Sequence, residues 1–311
     1  MVGGRAPAQR PLTADPGLYG PGSEAWRLNR EAALLLGAGP RALLLQLAHP
    51  LVAEGVDQHS DFRADPWARL AGTLRSYLRI VYGTTSQARA EIRRLNRLHD
   101  SVTGPVHDPR AAARFGDAYT ARDPELALWV HATLVDSTLA TVDAWLTPLT
   151  PHRRATFYAE TRPIGRLFGI PESLLPTDID AFDGWLAAQW APAGPVHPTA
   201  VSRDLAHTIL RPPLAPAVEH GPLAVRLGPT SAPIAAALRQ VPPGAASWLL
   251  VPAIGLLPAS VRRDYGFPWE MRERLLAAWL VTAWRGWRPL VPGRWRWFPQ
   301  ALAADQRARG D

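Results

Sequence analysis

Residues 119–137 read YTARDPELALWVHATLVDS. Asp123 followed by Pro124 is a helix N-cap with proline at the first helical position, where its missing N–H costs nothing. Beyond it Leu126, Leu128, Trp129, Val130, Ala132, Leu134 and Val135 leave no polar face. A helix apolar nearly all round has to be buried. The pattern therefore predicts a long central helix over about Pro124 to Leu146, with other helices packed around it. His131 lies in the middle of that helix, and a buried imidazole needs a hydrogen-bond partner or a ligand.

The flanking sequence has the same period. Upstream, ALLLQLAHPLVAEGV predicts a helix over about Pro40 to Val56, kinked or broken by Pro50 directly after His49. Asp65-Pro66-Trp67 opens a helix that runs to about Tyr82 and stops at Gly83. Over Ser86–Val102, Ile92, Leu95, His99 and Val102 share one face, and Arg89, Arg93 and Arg97 share the other. Ser23 caps an earlier helix. Downstream, helices are expected at about Pro151–Phe168, Thr177–Gln189, Ala200–Leu210, Ala232–Val241, Ser247–Leu256, Ser260–Tyr265 and Trp269–Trp284. No repeat and no useful alternating strand pattern occurs. The expectation is an all-α, single compact multi-helix bundle. It consists of a flexible N-terminal arm (1–22), a helical domain (23–285) with a Pro-rich connector at about 211–231, and a C-terminal extension (286–311). The Arg/Trp-rich piece WRGWRPLVPGRWRWFP is expected to wrap the surface, with Arg stacked on Trp, rather than form a helix.

Composition bounds the chemistry. With 47% hydrophobic residues in 311, a sizeable core can form. The net charge of +7 comes entirely from arginine, because the chain has no lysine. The arginines are scattered among acids, so the basic balance is not a nucleic-acid footprint. The absence of cysteine excludes disulfides, zinc–thiolate sites, iron–sulfur clusters and thiolate-ligated haem. It fits a reducing compartment, and no apolar leader precedes the first helix, so a cytoplasmic location is expected. No apolar run is long enough to predict a transmembrane segment. Phosphate loops of the Walker type, GxGxxG turns, HExxH and GxSxG are all missing, which leaves nucleotide, zinc-protease and serine-hydrolase readings without support.

What remains is histidine on helices with a few polar partners. His99 on its apolar stripe is either a satisfied core histidine or an axial ligand whose apolar neighbours cover a porphyrin face. His131 is either bonded to a neighbouring helix or directed at a ligand. His49 and His59 flank HPLVAEGVDQHS, which reads as a polar break. There Glu54, Asp57 and His59 either supply an acid or base, or only cap helices and turns. Arg69 and Thr73, four residues apart, share a helix face. They either meet a haem propionate or bound oxygen, or Arg69 is solvated while Thr73 bonds its own backbone.

Taken together, LLLQLAHPLVAEGVDQHSDF (43–62), DPWARLAGT (65–73), LNRLHDSVTG (95–104), YTARDPELALWVHATLVDS (119–137), FYAETRPIGRLFGIP (157–171) and GLLPASVRRDYGFPW (255–269) resemble one family. It is the family of all-helical, haem b-dependent oxygenases that includes the bacterial rubber-cleaving (latex-clearing) enzymes and the MpaB-type oxygenases. The resemblance implies a helical fold enclosing one haem b, with His99 as the proximal iron ligand and so the one metal-binding residue. It also implies Arg69 and Thr73 beside the haem, and His49, His59 and His131 as pocket residues. The catalytic set it implies is Arg69, Thr73 and, for protons, His59. The cofactor-binding set is His99, Arg69, Thr73, His131 and His49. The implied reaction is oxygenation of an apolar small molecule by dioxygen, with oxidative cleavage of a carbon–carbon double bond as its concrete form. Rubber oxygenases can use a distal lysine near the Arg/Thr pair, whereas here Gly72 takes that place. Two other readings stand beside this one: a haem protein that does not oxygenate, and a helical partner-binding protein without haem.

Overall fold

The structure, a computed structural model, describes residues 15–60, 66–211, 215, 231–242, 244–245 and 247–310. Most of the N-terminal arm and nearly all of the Pro-rich connector expected from the sequence lie outside the described residues. In chain order the helices are α1 (Glu24–Asn29), α2 (Ala38–Ala48), α3 (Pro50–His59), α4 (Pro66–Tyr82), α5 (Thr85–His99), α6 (Pro109–Phe115), α7 (Pro124–Thr141), α8 (Pro151–Leu167), α9 (Ile179–Gln189) and α10 (Ala200–Leu210). They continue as α11 (Ser231–Leu238), α12 (Val251–Gly255), α13 (Ala259–Asp264), α14 (Met271–Trp287), α15 (Gly293–Arg296) and α16 (Pro299–Arg309). The fold is all-α. Among the described residues the sheet is one antiparallel pair, β1 (Thr103–Pro105) with β2 (Ala118–Thr120), which the sequence pattern does not foreshadow.

The central helix is α7, as its all-round apolar sequence requires. Asp123 caps it by accepting from the Glu125 amide at 2.8 Å. It lies along α2, burying Trp129, Ala132, Val135 and Leu139 against Leu44, Leu45 and Ala48. One charged pair crosses this contact: Arg41 forms an ion pair with Asp136 at 2.6 Å, and donates to the Ser137 hydroxyl and the Leu256 carbonyl. Its last turn widens into a π-helical turn at Val142–Leu146. Around this core α4 runs along α5, α3 packs on α10, and α8 packs on α1, α7 and α9.

Pro50 does break the chain after His49, and the bend between the segments either side is 102°. The polar break read over 50–59 is nevertheless wrong in kind. His49 is extended (φ −83°, ψ 121°), and Pro50 then occupies the first position of a new helix, α3. Proline suits that position, so it restarts the helix instead of opening a turn. Helix α5 ends at His99, not Val102. Beyond it the Val102 carbonyl accepts from the Ala121 amide at 2.8 Å, and the chain enters the β1–β2 hairpin.

The C-terminal extension also differs from expectation. Its Arg/Trp-rich piece does stack Arg30 over Trp297, 3.9 Å from guanidinium to ring centroid, but α14 continues to Trp287 and α16 follows. Helix α16 buries Ala301, Ala304 and Ala308 towards α4. A stripe of alanines carries little hydrophobic contrast, which is why periodicity did not show it. Among the described residues no single helix is long and apolar enough to cross a membrane.

Candidate functional site

The site is assembled from α4, α5 and α7. On α4, Arg69, Thr73 and Tyr77 follow one another at four-residue steps and so share a face. Arg69 Nη1 donates to Thr73 Oγ1 at 3.1 Å, and Thr73 Oγ1 donates to the Arg69 carbonyl, also at 3.1 Å. Arg69 Nε donates to Ser60 Oγ at 3.2 Å, which ties α4 to the end of α3. One further turn along, Tyr77 donates to Asn29 Oδ1 at 2.6 Å. Burial pushes the Tyr77 phenol up to about 12, against a hydrogen bond with Thr138 of α7 that lowers it. Tyr77 and Thr138 thus mark where α4 and α7 meet.

Toward the other end of α7, one stripe keeps access to solvent. Ala127, Val130, His131 and Leu134 are half-buried, while Leu128, Trp129, Ala132, Thr133 and Val135 are buried. His131 lies deep: burial drives its imidazole down to about 4, so it is neutral at neutral pH. Tyr77 on α4 is half-buried as well. Arg69 is exposed by area, yet the protein around it lowers its guanidinium pKa. The His131 Nε2 is buried with no hydrogen-bond partner. Glycine faces it from α8: a Cβ placed on Gly165 would lie 3.5 Å from His131 Cδ2.

His99 is the last residue of α5 and is half-buried. Its pKa is lowered, first by burial, then by the charges of Arg69 and Arg122, with Asp100 opposing. The structure therefore brings His99 and Arg69 into one electrostatic neighbourhood and keeps the imidazole neutral, the form that binds a metal. No hydrogen bond uses the His99 ring among the described residues. Those residues contain no group of three His, Asp or Glu side chains placed to hold a bare metal ion.

The other two histidines sit elsewhere. The exposed His59 ends α3, where its Nε2–H donates to the Thr103 carbonyl at 2.8 Å. It adjoins Ser60, the Arg69 partner. His49 is buried between Phe115 (centroids 5.3 Å) and Trp129 (6.3 Å). Its pKa falls to about 3, from burial first and then from His197 and Arg114. Trp129 and His131 are two residues apart on α7 and point to opposite sides. His49 therefore joins His197 on the Trp129 side and is not gathered with His99. Glu54, an acid–base candidate from sequence, is committed to structure. It accepts from the His107 and Asp108 amides (3.0 and 3.3 Å), from Gln58 Nε2 (2.9 Å) and meets His107 Nδ1 at 3.0 Å. Tyr77 was missed. The four-residue step that paired Arg69 with Thr73 reaches it when taken once more.

The structure thus gives an all-helical bundle in which His99 and the Arg69/Thr73 pair share one electrostatic neighbourhood and His131 lies on the central helix. Over residues 26–287 the chain matches the family described as ER-bound oxygenase mpaB/B'/Rubber oxygenase, catalytic domain, and it belongs to that family. It is accordingly an enzyme of an oxygenase family. No curated protein and no solved structure matches it.

Proposed function

We propose that this protein is a cytoplasmic, haem b-dependent oxygenase that joins dioxygen to an apolar small molecule, with oxidative cleavage of a carbon–carbon double bond as the reaction. One observation carries the reading. His99, a neutral imidazole whose ring makes no hydrogen bond among the described residues, shares the electrostatic neighbourhood of a guanidinium, Arg69.

The donor set suits haem. With no cysteine or lysine in the chain, a neutral histidine is the strong axial ligand on offer. His99 would hold the iron, and Arg69 would pair with a propionate. Bound haem supplies the iron at which dioxygen is activated. The protein does the rest. Thr73 holds the Arg69 guanidinium in one orientation through a two-way hydrogen bond. Leu70, Leu74, Val130 and Leu134, all half-buried, would give a substrate pocket there apolar walls that admit a hydrocarbon and exclude water. His131, neutral and unpartnered at Nε2, offers one hydrogen-bonding position inside those walls. His59, whose Nε2–H is fixed on Thr103, is placed by Ser60 near Arg69 and would handle protons at the mouth.

The test is dioxygen uptake by haem-loaded protein given a panel of isoprenoid and unsaturated fatty substrates, with isotopically labelled dioxygen and mass spectrometry of the products. Carbonyl products carrying the label are expected. Haem-loaded protein that consumes no dioxygen with any of them would reassign it as a haem carrier or sensor.

A further inference from the structure

Helix α14 has 17 residues, and none of their side chains is buried. Its outward face is its apolar one. Met271, Leu275 and Trp279 follow at four-residue steps and are 66, 62 and 63% exposed. Ala278, Thr282 and Gly286 lie between and beyond them on the same stripe. Trp287 at the helix end and Leu290 and Trp295 beyond it are exposed as well. Single exposed apolar residues need no explanation. Here, however, six of the ten large exposed apolar side chains among the described residues fall within residues 271–295.

Charge flanks this stripe on both sides. At roughly 100° per residue, Arg272 falls on one flank and Arg274 and Arg285 on the other. The nearest acids, Glu270 and Glu273, are tied to each other in the capping box of α14, with the Glu270 amide donating to Glu273 Oε2 at 2.9 Å. Arg285 additionally donates to the Asp143 carbonyl at 2.9 Å, which fixes the far end of the helix to the bundle. An apolar stripe with tryptophan, bordered by arginines whose long stems reach outward, matches a bilayer surface that is oily below and anionic at its headgroups. A second copy of this chain fits less well. Two-fold pairing would bring the arginines of both stripes together with no free acid to meet them.

We propose that the α14 face docks this protein peripherally on an anionic lipid surface, with Met271, Leu275 and Trp279 entering the headgroup boundary and Arg272 and Arg274 pairing with lipid phosphates and carboxylates. Docking does not depend on haem or on the reaction.

Flotation of the full chain with phosphatidylcholine/phosphatidylserine vesicles, beside vesicles of phosphatidylcholine alone, tests this. Binding is expected only with phosphatidylserine present, and it should be released by high salt. Replacing Leu275→Ser together with Trp279→Ser should lower the partition about tenfold or more through lost apolar insertion. Arg272→Ser with Arg274→Ser should lower it about fivefold per arginine. Both pairs replace exposed side chains, so far-ultraviolet circular dichroism and the melting temperature should match the parent and separate lost docking from lost folding. Failure of the parent to float with the anionic vesicles overturns the proposal. So does equal binding to uncharged vesicles, or binding unchanged in both variants. A concentration-dependent dimer in analytical ultracentrifugation that the Leu275/Trp279 variant abolishes would overturn it in favour of self-association.

Discussion

Arg69 and Thr73 hold each other in both directions: the guanidinium donates to the hydroxyl at 3.1 Å, and the hydroxyl donates to the Arg69 carbonyl at 3.1 Å. The pair is exposed, so its contribution to folding is small. In the proposed site it would hold the guanidinium toward a haem propionate. In the haem-loaded protein, Arg69→Ala should speed haem loss to a haem-scavenging globin about tenfold or more, the scale of one charged hydrogen bond. Thr73→Val should have a smaller effect of the same sign. Unchanged rates in both would remove Arg69 from the haem site.

Acid should destabilise the haem-free protein through its neutral histidines. Burial lowers His131 from 6.5 to about 4 and His49 from 6.5 to about 3. The unfolded chain therefore binds protons that the folded chain refuses. Stability is complete above about pH 6.5 and is lost as the pH falls toward about 4 for His131 and about 3 for His49. The His131 difference corresponds to a loss on the order of 3 kcal/mol. His131→Gln should flatten, but not abolish, the fall in melting temperature between neutral pH and the acid end of that window. A profile identical to the parent would show that His131 is not buried as described.

Arg41 and Asp136 lock α2 to α7 with an ion pair whose side chains are only 5 and 17% exposed. Removing one partner strands the other, so Arg41→Met should cost about 3–5 kcal/mol in urea denaturation. Adding Asp136→Leu should recover a large part of that loss, because the stranded charge goes with it. A double variant no more stable than Arg41→Met would contradict the pairing.

Glu54 is the anchor between α3 and the loop that follows β1. Burial alone would raise its carboxyl, but hydrogen bonds from His107 and Gln58 outweigh this and lower it. Glu54→Gln should cost about 1–3 kcal/mol. Hydrogen exchange should quicken at the His107 and Asp108 amides, which the carboxylate now accepts from.

Much of this architecture was written locally. Asp123-Pro124 and an all-round apolar run specify α7. Asp65-Pro66-Trp67 announces α4, and Ala200–Leu210 is the observed span of α10. The Arg69–Thr73 contact follows from helix spacing alone. Other features depend on tertiary placement. That His99 and Arg69 share one neighbourhood, or that His131 comes against Gly165 while Trp129 faces His49, follows only once the helices are packed. Pro50 illustrates the limit of punctuation: the same residue ends one helix and begins the next, and only the backbone at His49 distinguishes a break from a restart. The hairpin escaped because strands three residues long carry no alternation to read.

The central claim is that His99 holds a haem iron. The direct measurement is the ultraviolet–visible spectrum of protein produced with haem supplementation, beside a His99→Ala variant. A Soret band in the parent that is lost or strongly shifted in the variant is the predicted result. A parent without a Soret band would contradict the haem-dependent account altogether, and a band unchanged in the variant would contradict His99 as the ligand.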